Sequence, residues 1–348
     1  MTRLFYGVQG TGNGHITRAR VMAKALYAAG FDVTFQFTGR PPEQYFDMDV
    51  FGDYQTRDGL TFNTHQGQVS YLKTALQAKP AQFLKDIKSL DLSTYDLVIS
   101  DFEPVTAWAA RRQGKPVIGI GHQYAFRHQI PREGADPIAQ QVMNYFAPAD
   151  IGVGLHWHHF DQPILPPIIE TPELPSQIEA KKIVVYLPFE DSHAVIKHLA
   201  PFKDFQFHVY SPVVVASNYA HIHCKPLSRN GFQHDLSDCV GIISNAGFEL
   251  ASESLQLGKK ILVKPLHAQM EQISNAAAIK QLGYGQTMFD IDAAVIEAWL
   301  HNPQAVRVSY PNVAELLVQW LQDGMPAIDA AFVERVWQDV AVVSVNHS

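Results

Sequence analysis

Apolar and polar positions follow one another along this chain in a repeating order. Leu4–Val8 is a short apolar run that predicts a buried strand. Val21, Met22, Ala25, Leu26 and Ala29 then recur at helical spacing, and Gly30 is the residue type that ends such a helix. Phe31–Phe37 predicts the next strand, Tyr71–Leu90 a mainly helical stretch, and Tyr95–Asp101 a strand closing on an acid. Ala107–Arg112 predicts a helix stopped by Gly114, and Pro116–His122 another strand. The five prolines of Gln162–Pro175 predict an extended, semi-rigid connection. Beyond it the order restarts, with strands expected at 181–189, 205–211, 239–245 and 259–265 and helices at 247–258 and 271–283. Such alternation predicts an α/β fold of parallel sheets covered by helices on both faces. The expected units are 1–165 and 176–328, with a helix in 329–348 packing back on the first. Ligands of such sheets bind at the carboxyl ends of the strands, so the cleft between the units is the expected site.

Composition narrows the class. A chain of 348 residues that is 47% hydrophobic can bury two cores, and 18% charged residues are too few for a disordered protein. The net charge of −7 speaks against a nucleic-acid partner, which needs a basic footprint. Cys224 and Cys239 have no metal-ligand spacing, the start of the chain lacks a signal-peptide pattern, and no apolar run reaches a membrane span. A reduced, cytoplasmic protein is expected. The one histidine cluster, His156–His159, reads as a surface loop without partner carboxylates, so no metal centre is expected.

The stretch from Gly10 to His15, GTGNGH, joins the first strand to the first helix. Its glycines, at 10, 12 and 14, miss the G-x-G-x-x-G register of dinucleotide sites. The second strand lacks the terminal acid that holds an adenosine ribose, and no Lys-Ser or Lys-Thr follows for a P-loop. What remains is a tight turn that brings backbone close to a ligand, with His15 at the start of a helix. The positive end of the helix dipole keeps a histidine neutral there, the state a general base requires. Capping the helix is the alternative role. Asp101 closes a strand at the same sheet edge, placed to orient His15 and stabilise its imidazolium. Its alternative is to cap the helix that follows, and Glu103 is a rival acid beside it.

Ser244–Ala276 is the most informative segment. A strand runs into a turn, Asn245-Ala246-Gly247, and a helix begins, so backbone N–H groups are positioned to cradle a phosphate. Glu253 lies six residues after Gly247 on that helix. A carboxylate there suits ribose hydroxyls rather than phosphate; a solvated helix glutamate is the alternative.

These residues resemble the GT-B glycosyltransferases, especially the UDP-glycosyltransferases and the lipid-linked N-acetylglucosaminyl transferase of peptidoglycan synthesis. The family's donor signature runs H-C-G-W-N-S-x-x-E, then G-x-P, P and D-Q-x-x-N. Asn245, Ala246, Gly247 and Phe248 fall on its first four positions and Glu253 on the ribose glutamate. Gly258-Lys259-Lys260 falls on G-x-P, Pro265 on the next proline, and Glu271-Gln272-Ile273-Ser274-Asn275 on D-Q-x-x-N. GTGNGH resembles the glycine-rich turn of the peptidoglycan enzyme, and the stretch from Tyr95 to Ile120 the segment carrying the partner aspartate. The resemblance implies two Rossmann-like domains facing across a cleft. It implies His15 as base toward an acceptor hydroxyl, with Asp101 as its partner. Ser244, Asn245, Ala246 and Gly247 would meet the donor diphosphate, Glu253 the ribose, and Glu271 and Gln272 the donor sugar. Phe232 would lie beside the nucleobase, a core phenylalanine being the alternative. Gly12 and Gly14 of the glycine-rich turn are implied on the acceptor side; Arg18 and His122 are expected there from their own places after the turn and after a strand end.

The sequence also departs from the family. Asn245 stands where members have a phosphate-contacting histidine, Arg18 where many have proline, and Pro188-Phe189-Glu190 lacks the usual glycines. A cation at position 18 suits an anionic acceptor. The aromatic and cationic stretch His122–Arg132 suits a lipid-linked one at a membrane surface. The strongest similarity is to a bacterial and archaeal branch, so the acceptor does not carry over. The expected activity is inverting, metal-independent transfer of a hexosyl or N-acetylhexosaminyl group from a nucleotide-sugar, UDP-linked by the resemblance, to a hydroxyl. No cofactor and no nucleic-acid partner are expected, and the expected location is the cytoplasm or the inner face of its membrane. The alternatives are a nucleotide-sugar 2-epimerase on the same fold and a non-catalytic nucleotide-sugar-binding protein.

Overall fold

The computed structural model describes residues 1–60, 64–65, 68–69, 79–134, 137–170 and 177–347. The first half supplies β1 (Arg3–Gln9), β2 (Asp32–Thr38), β3 (Gln55–Arg57), β4 (Thr64–His65), β5 (Gln68–Val69), β6 (Leu97–Asp101), β7 (Ile118–Gly121), β8 (Ile151–Leu155) and β9 (Ile164–Leu165). Apart from β4 and β5, which pair with each other, these form one parallel sheet in the order β3-β2-β1-β6-β7-β8-β9. The second half supplies β10 (Lys182–Tyr186), β11 (Gln206–Ser211), β12 (Ile222–Pro226), β13 (Gly241–Asn245), β14 (Lys260–Lys264) and β15 (Gln286–Thr287). They form a second parallel sheet, β12-β11-β10-β13-β14-β15.

The central strands are buried nearly throughout, as a sheet covered on both faces requires. The helix Asn13–Ala28 buries Ile16, Ala19, Met22, Ala23 and Leu26. Its buried stripe is thus turned slightly from the expected one, with Val21 and Ala25 at the margin. Gly30 takes a φ of 79°, the left-handed conformation that ends a helix. Strand order reverses between β1 and β6 in one sheet and between β10 and β13 in the other. These reversals open the crevices where such sheets bind ligands. His15 follows β1, Asp101 ends β6, Tyr186 ends β10 and Asn245 ends β13.

Three segments differ from expectation. The connection Gln162–Pro175 begins inside the first sheet, because Ile164 and Leu165 form its edge strand and Ile168 is buried. Residues 171–175 of it lie outside the described residues, as does 71–78 of the expected helix, of which Pro80–Ser89 is seen. At the other end the return to the first sheet begins early: the helix Val313–Gln322 already packs on Asn13–Ala28. The helix Ala330–Trp337 packs on β9, where Trp337 Nε1 donates to Ile164 O at 2.8 Å. The chain then goes back as β17 (Ala341–Asn346), antiparallel to β16 (Gln304–Ser309), so 329–348 contains a strand besides the expected helix. Among the described residues no helix is long and apolar enough to cross a membrane.

Candidate active site

His15 lies in the first turn of the helix Asn13–Ala28, which no side chain caps. Its Nδ1 is 2.7 Å from Oδ1 of the fully buried Asp101. A carboxylate only accepts, so Nδ1 carries the proton and the neutral ring keeps its lone pair on Nε2. Arg18, three residues along and on the same helix face, holds that carboxylate side-on. Its Nε donates to Oδ2 at 2.8 Å and its Nη2 to Oδ1 at 2.5 Å. Nη1 of Arg18 donates to Glu249 Oε1, on the helix Phe248–Gln256 of the second half. Burial works against the Asp101 carboxylate, yet Arg18 and His15 hold its pKa below the ordinary value. At Glu249 burial outweighs Arg18 and pushes the carboxyl up to about 8. Capping of the next helix, the other role open to Asp101, belongs to Glu103. The Glu103 carboxylate accepts from Val105 N and Thr106 N, both at 2.7 Å, and from Thr38 Oγ1 at 2.9 Å.

A cavity of about 710 Å³ separates the carboxyl edges of the two sheets. Gly12, Gly14 and His15 line it from one side, and Asn245, Gly247, Phe248, Glu249, Glu271 and Gln272 from the other. A Cβ on Gly14 would sit 2.8 Å from Glu249 Cγ, so glycine is what lets the two halves meet there. Asn245 Nδ2 donates to Lys264 O at 3.0 Å, leaving its buried Oδ1 without a partner. Ala246 O accepts from Asn275 Nδ2 at 2.9 Å, and Gly247 N donates to Asn245 O at 2.8 Å. No side chain caps the helix that begins at Phe248, so its first amides and the positive end of its dipole are open to a ligand. Gln272 Oε1 accepts from Leu266 N at 3.0 Å. Across the cleft, Gln123 Nε2 donates to the two Glu271 carboxylate oxygens at 3.2 and 3.3 Å.

The pattern of the family described as glycosyl transferase family 1 matches residues 2–303. The chain belongs to that family. The family model gives glycosyl transfer as its class of activity. The fold of this transferase is that of glycosyltransferase SnogD from Streptomyces nogalater, at 15% identity and a TM-score of 0.54 over 97% of this chain and 99% of that one. It is similarly close to MurG of Acinetobacter baumannii, at 16% identity and 0.54 over 97% and 95%. Glycosyltransferase VinC, solved in complex with DTDP, gives 13% identity and 0.53 over 97% and 100%. No curated protein matches the chain. The two sheets make this family 1 transferase a GT-B protein, the α/β architecture the sequence predicts.

In this transferase several expected site residues stand elsewhere than anticipated. Arg18 borders the cavity but is 2% exposed, its guanidinium engaged by Asp101 and Glu249 rather than presented to an acceptor. His122 does line the cavity, but it is buried and stacked on Phe248 at 4.0 Å, with Nδ1 2.9 Å from Leu155 O and Nε2 2.7 Å from Asn275 Oδ1. Burial lowers its pKa. Phe232 does not line the cavity; it packs behind Tyr186, which does, with ring centroids 5.5 Å apart. Ser244, Ala246 and Glu253 also lie behind the wall. Glu253 is buried, its Oε2 accepts from Gln233 Nε2 at 3.0 Å, and burial pushes its carboxyl up to about 7. The cluster at His156–His159 is no surface loop at its start: His156 and Trp157 are buried, and Trp157 Nε1 donates to Ser252 Oγ at 2.8 Å. In His122–Arg132 the rings of Tyr124 and Phe126 are buried, and Arg127 and Arg132 donate to backbone carbonyls. Glu249, Gln123 and Tyr186 were not anticipated. Tyr186 ends a strand and Gln123 lies just after one, which is the signal that could have found them; Glu249 had only its place in the first turn after Gly247.

Proposed function

We propose that this transferase moves a sugar from a nucleotide-sugar, UDP-linked, to an acceptor hydroxyl, with inversion and without a metal. The observation that carries the reading is the 2.7 Å hydrogen bond between His15 and buried Asp101, facing an uncapped helix N-terminus across the cavity. The acceptor O–H gives its proton to His15 Nε2 while its oxygen attacks the anomeric carbon. The bond from that carbon to the diphosphate breaks, and its electron pair leaves with the nucleotide. Amides at the start of Phe248–Gln256 meet the charge that develops there, the part a metal plays in other sites. One displacement from the face opposite the leaving group inverts the centre. Asp101 keeps the Nδ1–H tautomer and stabilises the imidazolium. Glu271 and Gln272 hold the sugar, and Glu253 meets the ribose once Gln233 is displaced. Among the described residues no group of three histidines, cysteines or acids is arranged to hold a metal. His15→Ala tests the reading: UDP affinity by calorimetry should stay near wild type while turnover falls ~10²–10⁴-fold. Wild-type turnover in that variant would overturn it.

A second reading, a nucleotide-sugar 2-epimerase, is favoured by one observation: two carboxyls, Glu249 and Glu271, line the cavity. Turnover of a UDP-sugar with no acceptor present would select it.

A further inference from the structure

The cavity has a corner on the first half where Arg40, just after β2, lines the wall beside Thr11, Asn13 and Gln44. A guanidinium stays charged in a protein and carries five N–H donors. Arg40 Nε donates to Gly10 O, and Nη1 donates to Asn13 Oδ1 at 3.1 Å. Both acceptors are neutral. Among the described residues no acceptor meets Nη2, and no carboxylate forms an ion pair with Arg40. Its guanidinium carbon lies 5.3 Å from the ring centroid of Tyr45, and Tyr186 faces it from the second half. Burial raises the pKa of both phenols, so neither supplies a negative charge. The other arginine of the wall, Arg18, is bonded to Asp101 and Glu249. Arg40 is thus a half-buried cation, open to the cavity, with neutral neighbours. We propose that Arg40 binds an oxyanionic group of the acceptor, a phosphate or a carboxylate, and selects for acceptors that carry one.

The proposal rests on the reading of the cavity as a transfer site with the acceptor on the first half. Burial makes the Arg40 charge costly, and an anion in the cleft offsets that cost. A planar guanidinium also meets a phosphate or carboxylate with two parallel N–H groups, which an ammonium does not. The contacts to Gly10 and Asn13 fix the Arg40 side chain and leave Nη2 for a ligand. Asn13 is two residues from His15, so an acceptor anchored on Arg40 is held beside the turn that carries the base. The donor diphosphate has amides of its own, at the start of Phe248–Gln256 on the opposite wall. The anionic acceptor that Arg18 suggested in the sequence is therefore retained, with a different residue to receive it.

The test is calorimetric titration of the full-length protein with phenyl phosphate and with benzoate, in the presence of excess UDP. At least one of the two should bind wild type. Its affinity should fall roughly tenfold or more in Arg40→Gln and by less in Arg40→Lys, which keeps the charge but not the fork. UDP affinity, measured alone, should be the same in wild type and Arg40→Gln. For the case in which Arg40→Gln fails to fold, the Nε–H signal of Arg40 in 15N-labelled wild type, assigned by its absence from Arg40→Lys, should shift as the probe binds. Binding of neither probe, equal affinity in wild type and Arg40→Gln, or an Nε–H signal unmoved at saturation overturns the proposal. An equal fall in UDP affinity overturns it too, by giving Arg40 to the donor. None of these outcomes touches the base reading, which falls only on wild-type turnover in His15→Ala.

Discussion

Asp101 serves an imidazole and a guanidinium with one carboxylate, and its two oxygens differ in company. Oδ1 faces both His15 and Arg18, and Oδ2 faces Arg18 alone. Asp101→Asn turns an acceptor into a mixed donor and acceptor, so the amide NH₂ must meet either Arg18 or His15. The expected result is a fold that persists and turnover that drops by about 10⁴-fold at most, through the wrong tautomer and a less stable imidazolium. Circular dichroism together with donor consumption checks it. Glu253 gives a prediction with a sign in pH. Its carboxyl titrates near 7 in the folded protein against an ordinary 4.5, so folded chains hold a proton that unfolded ones release. Stability is undiminished below the ordinary value and falls as pH rises toward 7. Glu253→Gln should remove that fall, gaining roughly 1–3 kcal/mol over wild type between pH 5 and 8 in denaturant melts. The same variant should weaken UDP binding by about 1–3 kcal/mol by calorimetry. Unchanged UDP affinity would take Glu253 out of the site.

At the scale of elements, the helix Pro104–Arg112 depends on one side chain at its start. Glu103→Ala removes the acceptor for two amides and for Thr38 and should cost about 1–2 kcal/mol or more of stability, with UDP affinity retained. A loss of UDP affinity without loss of stability would assign Glu103 to the site instead. The alternation of apolar runs and glycine stops made the strands and most helices legible, because burial on both faces of a parallel sheet leaves continuous apolar runs such as Leu4–Val8. The pairing of His15 with Asp101 was legible too, since both sit at strand ends of one sheet edge. The aim of side chains across the cleft was not. Arg18 looked available to an acceptor because helical spacing tells which face a residue takes but not what approaches that face from another unit. Phe232 and Tyr186 were exchanged for a similar reason: each is an aromatic near the donor side, and only packing decides which is the wall and which lies behind it. β17 escaped notice because Ala341–Asn346 pairs with a partner more than thirty residues earlier in the chain.

At the scale of the molecule, the two halves meet at several places, and one close backbone approach is where Gly14 passes Glu249, a spot a Cβ would crowd at 2.8 Å. A valine at position 14 should keep the halves apart, raising the radius of gyration in solution scattering and cutting turnover while UDP still binds the second half. An unchanged scattering profile would show that the contact yields to a side chain. The chain itself passes between the halves three times: after β9, before Val313–Gln322, and between Ala330–Trp337 and β17. Val313, Leu317 and Trp320 are buried in the helix that returns to Asn13–Ala28, and Trp337 is tied to β9. The consequence is genetic. A cut in the connection after residue 170 does not yield two self-sufficient modules, because the first would lack the helices that cover it. Recombination that gives this transferase a new donor half must therefore exchange an internal segment and leave the tail with its original owner.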